Sequence, residues 1–258
     1  ALALALILAL NAEAVGEAVL LLTMFTPLVA VAAVKLFVTR DAWSLAGWKE
    51  LGLHRPGFRL WPAAVLLPFA VLLPGYLIVW ATGLGQFSGF LAPEAITQAA
   101  VKFVVSLLIG AMLGALGEET GWRGFLLPRL LHLGPMRASL IVGFLHGVWH
   151  LPLILLTPFY HAGGDWWIAV PLFLAALTLG GAVYGWLRLA SASIWPAALA
   201  HRALNLMWDR FDAATATERP VAVDYLAGET GFVTILGLLV LTLLIARAWR
   251  SQSPPAGG

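Results

Sequence analysis

Three short stretches carry side chains for which a hydrophobic helix has no packing use. They are "GEETGWR" at residues 117–123, "HGVWHLP" at 146–152 and "HRALN" at 201–205. Each lies inside or at the edge of an apolar run, where an ionisable group is costly and marks function by default. Neighbouring residues on a helix point about 100° apart, so Glu118 and Glu119 cannot face one cavity together and should have different roles. Glu119 precedes Arg123 by four residues, the favourable order for a helical ion pair, and the pairing offsets two buried charges. Glu118 is left for chemistry. A carboxylate placed beside a second carboxylate suits a general base that takes a proton from water. His150, from another helix, is placed to share that water. His201 and Asn205 are four apart on one face and offer an imidazole and an amide to the oxyanion formed when water adds to a peptide carbonyl. This set needs no serine, threonine or cysteine nucleophile. A second version of the site stays open: Glu118, His150 and His201 as zinc ligands with water in the fourth position.

The elements that must hold these residues are membrane helices. The chain has 258 residues, 61% hydrophobic and 11% charged, with a mean hydropathy of +0.90. Soluble domains carry about 25% charged residues. With about 20 apolar residues needed per span, candidate helices fall at 15–38, 60–83, 98–122, 138–158, 166–188, 193–209 and 230–248. The opening "ALALALILAL" reads as the remnant of a truncated first span. The expected fold class is therefore all-α, a polytopic membrane helix bundle of about eight transmembrane helices. Residues 1–250 form one domain, and 251–258, "SQSPPAGG", a disordered tail.

Arg40, Lys49, Arg55, Arg59, Arg129, Arg137, Arg188, Arg247 and Arg250 collect in loops on one side. Glu94, Asp165, Asp209, Asp212, Glu218, Asp224 and Glu229 collect on the other, with Arg210 and Arg219 as exceptions and Lys102 near the start of the 98–122 helix. The positive-inside rule makes the first side cytoplasmic, with both termini there, and the chain a multi-pass protein of the cytoplasmic membrane. At about 1.5 Å per residue, Glu118, His150 and His201 lie roughly 16, 20 and 12 Å in from that side. The active site is expected in the membrane toward the cytoplasmic side.

The basic residues form no run that would bind nucleic acid, and the absence of cysteine excludes disulfides and thiolate chemistry. "WKELGLHRPGFRLW" (48–61) has the composition of an interfacial connector, and the helix-end tryptophans suit an aromatic belt. "GGAVYG" (180–185) suits close helix packing rather than phosphate binding.

In order and register, "EETGWR", "HGVWHLP" and "HRALN" match EExxxR, a second motif ending in histidine, and HxxxN. The sequence resembles the CPBP family of intramembrane proteases, which includes CAAX prenyl proteases and the bacterial Abi proteins. The resemblance implies a glutamate-type peptide hydrolase. Glu118 would activate water, His150 would be its partner, and His201 and Asn205 would stabilise the oxyanion. Glu119 and Arg123 would support the site. One departure stands out: the family's FxxxH motif has His146 in place of the aromatic residue. Packing is its expected task, beside a supporting role in the site. The implied substrate is a membrane peptide or protein: a bacteriocin precursor, a lipidated or CAAX-like carboxyl terminus, or another short membrane peptide. No cofactor is required in this reading, although zinc fits the alternative. The lipid bilayer is the other partner, and the sequence sets no oligomeric state. Two further classes remain beside the protease. One is a non-catalytic immunity or scaffold protein. The other is a proton-coupled transporter, for which internal repeats and broken helices are expected.

Overall fold

The structure, a computed structural model, describes residues 22–89, 96–156 and 164–251. The expected first-span remnant, residues 15–21 of the next span, Glu94 and all but Ser251 of the tail lie outside the described residues.

The chain is an all-α helical bundle and a multi-pass membrane protein. The helices in chain order are α1 (Thr26–Ala33), α2 (Leu45–Lys49), α3 (Trp61–Thr82) and α4 (Ile96–Gly110). Next come α5 (Leu116–Glu119), α6 (Leu127–Leu130), α7 (Pro135–Leu156) and α8 (Trp166–Ser191). The last are α9 (Trp195–Ala213), α10 (Pro220–Ala227) and α11 (Phe232–Ser251). Two short strands, β1 (Gln86–Phe87) and β2 (Thr215–Ala216), pair antiparallel and tie the ends of α3 and α9 together. Among the described residues, five helical runs are long and apolar enough to cross a membrane: Phe58–Thr82, Ala100–Leu133, Pro135–Leu156, Trp166–Ser191 and Pro220–Ser251. The polar residues of α9 keep it out of that set, yet α9 packs on both α3 and α8 at the centre of the bundle. Leu72, Tyr76, Val183, Leu187, Ala203 and Phe211 form the core there.

Two expectations about loops are corrected. Arg188 is in the last turn of α8 and is buried, because its guanidinium donates to the carbonyls of Arg123 (3.2 Å) and Glu50 (3.0 Å). Glu229 sits in a four-residue break between α10 and α11 rather than in an outer loop, since the apolar residues of "PVAVDYLA" form a short helix packed on α3.

Close approach between α7 and α8 depends on glycine. A Cβ on Gly143 would lie 2.3 Å from the Leu177 carbonyl oxygen, and one on Gly181 would lie 2.5 Å from that of Ser139. The 48–61 connector folds under one end of the bundle. There Leu51 is fully buried, Trp195 Nε1 donates to the Leu53 carbonyl at 2.9 Å, and Ser193 Oγ donates to that of Arg55. Asp165 caps α8 by accepting from Trp167 N at 2.9 Å.

Candidate active site

The site is built on a helix that changes its winding. After α4 the chain passes through a π-helical segment at Ala111–Ala115, returns to α-helix for Leu116–Glu119, and widens again at Thr120–Leu126. A proline follows the second widening. With π-helical bonding the Arg123 carbonyl would accept from residue 128, but Pro128 has no N–H. Arg188 Nε supplies that donor from α8. Gly117 and Gly121 let α1 lie against the opposite face, since a Cβ on Gly121 would sit 2.4 Å from Pro27 Cβ. The expected span of 98–122 therefore continues past Arg123, and Glu118 and Glu119 project from the single α-helical turn between two widened ones.

Glu118, Glu119, Arg123, His146 and His201 are all buried, and His150 is half-buried. Arg123 Nη1 donates to Glu119 Oε1 at 2.9 Å and lies 3.3 Å from His146 Nδ1. Arginine only donates, so His146 Nδ1 accepts and the imidazole proton sits on Nε2. That Nε2–H points at Glu118 Oε2, 2.7 Å away. His146 is thus a link between the two carboxylates, through Arg123 on one side and directly on the other. His150 Nδ1 donates to the His146 carbonyl at 2.9 Å, which puts its ring acceptor on Nε2. His201 Nδ1 faces Glu119 Oε1 at 3.0 Å. Tyr184 closes the cluster: its ring lies 4.8 Å from the Arg123 guanidinium and stacks on His201 at 5.9 Å between centroids. That cation–π contact covers part of a guanidinium whose Nε and Nη2 are buried without hydrogen bonds.

The structure therefore brings Glu118 and His146 into contact and pairs His201 with Glu119. Asn205 is half-buried one turn beyond His201, and among the described residues its side chain makes no hydrogen bond. Sequence reasoning underrated His146 and passed over Tyr184. The signal for Tyr184 was a lone phenol in the small-residue run "GGAVYG".

Two ligand sets bear on a metal. Glu118, His146 and His150 offer ligand atoms that all lie within 4.8 Å of one another. A histidine that ligates through Nε2 needs an acceptor for its Nδ1–H. His146 Nδ1 instead meets Arg123, so this set does not fit. His150 and His201 do carry suitable acceptors, the His146 carbonyl and the Glu119 carboxylate, but His201 stands outside the close group. Neither set combines proximity with a suitable outer shell.

The cluster thus gathers two carboxylates, three histidines and an arginine inside a membrane bundle. Residues 100–207 match the family model described as type II CAAX prenyl endopeptidase, Rce1-like. All three motifs lie within that matched segment. No curated protein matches the chain.

Proposed function

We propose that the protein is an intramembrane endopeptidase in which Glu118 activates water without a metal ion. The observation that carries this reading is the 2.7 Å bond from His146 Nε2 to Glu118 Oε2. It holds one carboxylate oxygen and leaves the other to act as base. Two hydrogen bonds of about 2.8 Å at a tetrahedral angle span about 4.6 Å. Glu118 and His150 offer atoms within 4.8 Å of each other, close enough for one water to donate a hydrogen to each. Glu118 takes the proton as the water oxygen attacks the peptide carbonyl carbon. Asn205 donates its amide N–H to the oxyanion, and His201 donates from Nε2 when it carries both protons. Glu119 is the counter-ion of that imidazolium, so Glu118, Glu119, Arg123 and His201 sum to zero charge. As the intermediate collapses, the C–N bond breaks and Glu118 returns its proton to the leaving amine.

The substrate is a peptide presented from the membrane near its cytoplasmic side, either a bacteriocin precursor, a lipidated or CAAX-like carboxyl terminus, or another short membrane peptide. Both termini face the cytoplasm in the cytoplasmic membrane. The test is turnover of internally quenched peptides by detergent-purified protein and by Glu118→Gln. Loss of turnover in a variant that keeps its elution volume and melting temperature supports the reading. Full turnover by that variant overturns it.

A further inference from the structure

Beside the catalytic cluster lies a cavity that the mechanism does not use. It is lined by α3, α8, α9 and α11 and partly open, with Leu67, Val71, Leu177, Leu204 and Leu238 among its walls. Its polar edge is made by Glu229, Thr230 and Tyr184. Tyr184 is the side chain that stacks on His201, and Leu204 immediately precedes Asn205, so the cavity adjoins the oxyanion side of the site.

Glu229 reaches this space because the helical run 220–251 is broken at residues 228–231. The break is compact. Gly231 N donates to the Gly228 carbonyl at 2.9 Å, and Thr234 Oγ1 donates to the same oxygen at 2.8 Å. A Cβ on Gly228 or Gly231 would come within 2.8 Å of the preceding helix. It is also deep. Ala227 packs directly on Gly75, fourteen residues after Trp61 in α3, which is about 21 Å along that helix. Irregular backbone at membrane depth persists where it is buried in protein or lines a cavity. Among the described residues the Glu229 carboxylate has no hydrogen-bond partner. Glu229 is half-buried, and an unpaired carboxylate beside apolar walls at membrane depth is costly and points to function by default.

We propose that this cavity is a specificity pocket for a long side chain with an aliphatic stem and a cationic tip, lysine above all, next to the scissile bond of the substrate. The leucine and valine walls take the methylene stem, and Glu229 takes the ammonium group. An apolar isostere fills the same walls and leaves the carboxylate unpaired, so the pocket discriminates against it. This assignment rests on the endopeptidase reading for its place in catalysis, although binding in the pocket does not.

The experiment has two arms on the full chain in detergent. In the first, quenched peptides carry either lysine or norleucine at each position within three residues of the cleaved bond. At one position, the lysine peptide should exceed its norleucine partner in kcat/KM by about 10- to 100-fold. Glu229→Gln should bring that ratio to within about twofold, and Glu229→Asp should retain part of it. In the second arm, n-pentylammonium and n-pentanol are compared as stabilisers of the Glu118→Gln protein, with and without Glu229→Gln. A thermal shift specific to the ammonium ion and lost with Glu229 is expected. Cleavage with no lysine preference, or with a preference untouched by Glu229→Gln, overturns the pocket and leaves the protease intact. An ammonium shift that survives Glu229→Gln overturns it as well. A Glu229-dependent ammonium shift without any cleavage supports the pocket and counts against the protease.

Discussion

Two charged clusters are built from much the same chemistry and differ in where they sit. In the bundle, Glu119 accepts from Arg123 and His201 at 2.9 and 3.0 Å, and Glu118 from His146 at 2.7 Å. At the rim, Lys35 donates to Asp41 at 3.0 Å and to Glu50 at 2.7 Å, and Arg129 donates to Glu50 at 3.0 Å. The bonds are equally short. The rim cluster, however, has a Glu50 side chain that is 43% exposed, whereas the carboxylates of the inner cluster are almost completely buried. Water can replace a partner lost by Glu50 or Arg129 at the rim, although Lys35 is itself fully buried. Water cannot do so in the bundle, where an orphaned charge carries the full cost of desolvation. The rim cluster therefore fastens a connector, while the inner one holds protons and charges in fixed places and can do chemistry.

That contrast can be broken in graded steps. The largest expected effect is on turnover. Glu118→Gln removes the base and should lower kcat by about 10²–10⁴-fold, read with quenched peptides. Asn205→Ala removes an oxyanion donor and should lower kcat by about 10²–10³-fold with a smaller change in KM. Arg123→Leu leaves Glu119 with His201 alone and removes its permanently charged partner. It should cost about 3–5 kcal/mol, seen as a large drop in melting temperature, whereas Arg129→Leu at the rim should cost about 1 kcal/mol or less. His146→Phe restores the residue type of the FxxxH motif and keeps the ring packing against Trp122, whose centroid lies 5.1 Å away. It should fold, yet lose about tenfold in kcat because Glu118 and Arg123 each lose a hydrogen bond.

The smallest effect is a pH dependence of stability at the rim. The Thr39 hydroxyl and Lys35 hold Asp41 below the ordinary carboxylate range. Burial pushes Glu50 up, but hydrogen bonds from Lys35 and Arg129 outweigh it and bring Glu50 below its ordinary value. Both folded values are depressed. Their stabilising contribution is therefore complete above about pH 4.5 and is lost as pH falls through the lower folded values. Melting curves of Glu50→Gln and wild type should converge as pH falls below the ordinary carboxylate range and separate slightly above it.

The residues of the inner cluster were legible because membrane depth makes each polar side chain conspicuous. The spacing of Glu119 and Arg123 was enough to pair them, and the small residues of "GGAVYG" to place a tight helix contact. The link through His146 was not legible, because it depends on which ring nitrogen meets Arg123 across two helices. Spacing on a straight α-helix also hid the two π-helical segments, which change the directions of the side chains around Glu118. Arg188 and Glu229 were misplaced for a related reason. A charge near a helix end reads as a loop residue unless its partner, or the cavity it lines, is known.

The most direct test of the account measures turnover and zinc in one preparation. Purified protein is assayed with quenched peptides before and after chelation, its zinc content is quantified, and Glu118→Gln serves as control. Turnover should survive chelation with far less than one zinc per chain, and should fall by about 10²–10⁴-fold in the variant. Chelator-sensitive turnover with about one zinc per chain would contradict it, and would make Glu118, His150 and His201 ligands rather than base, water partner and oxyanion donor.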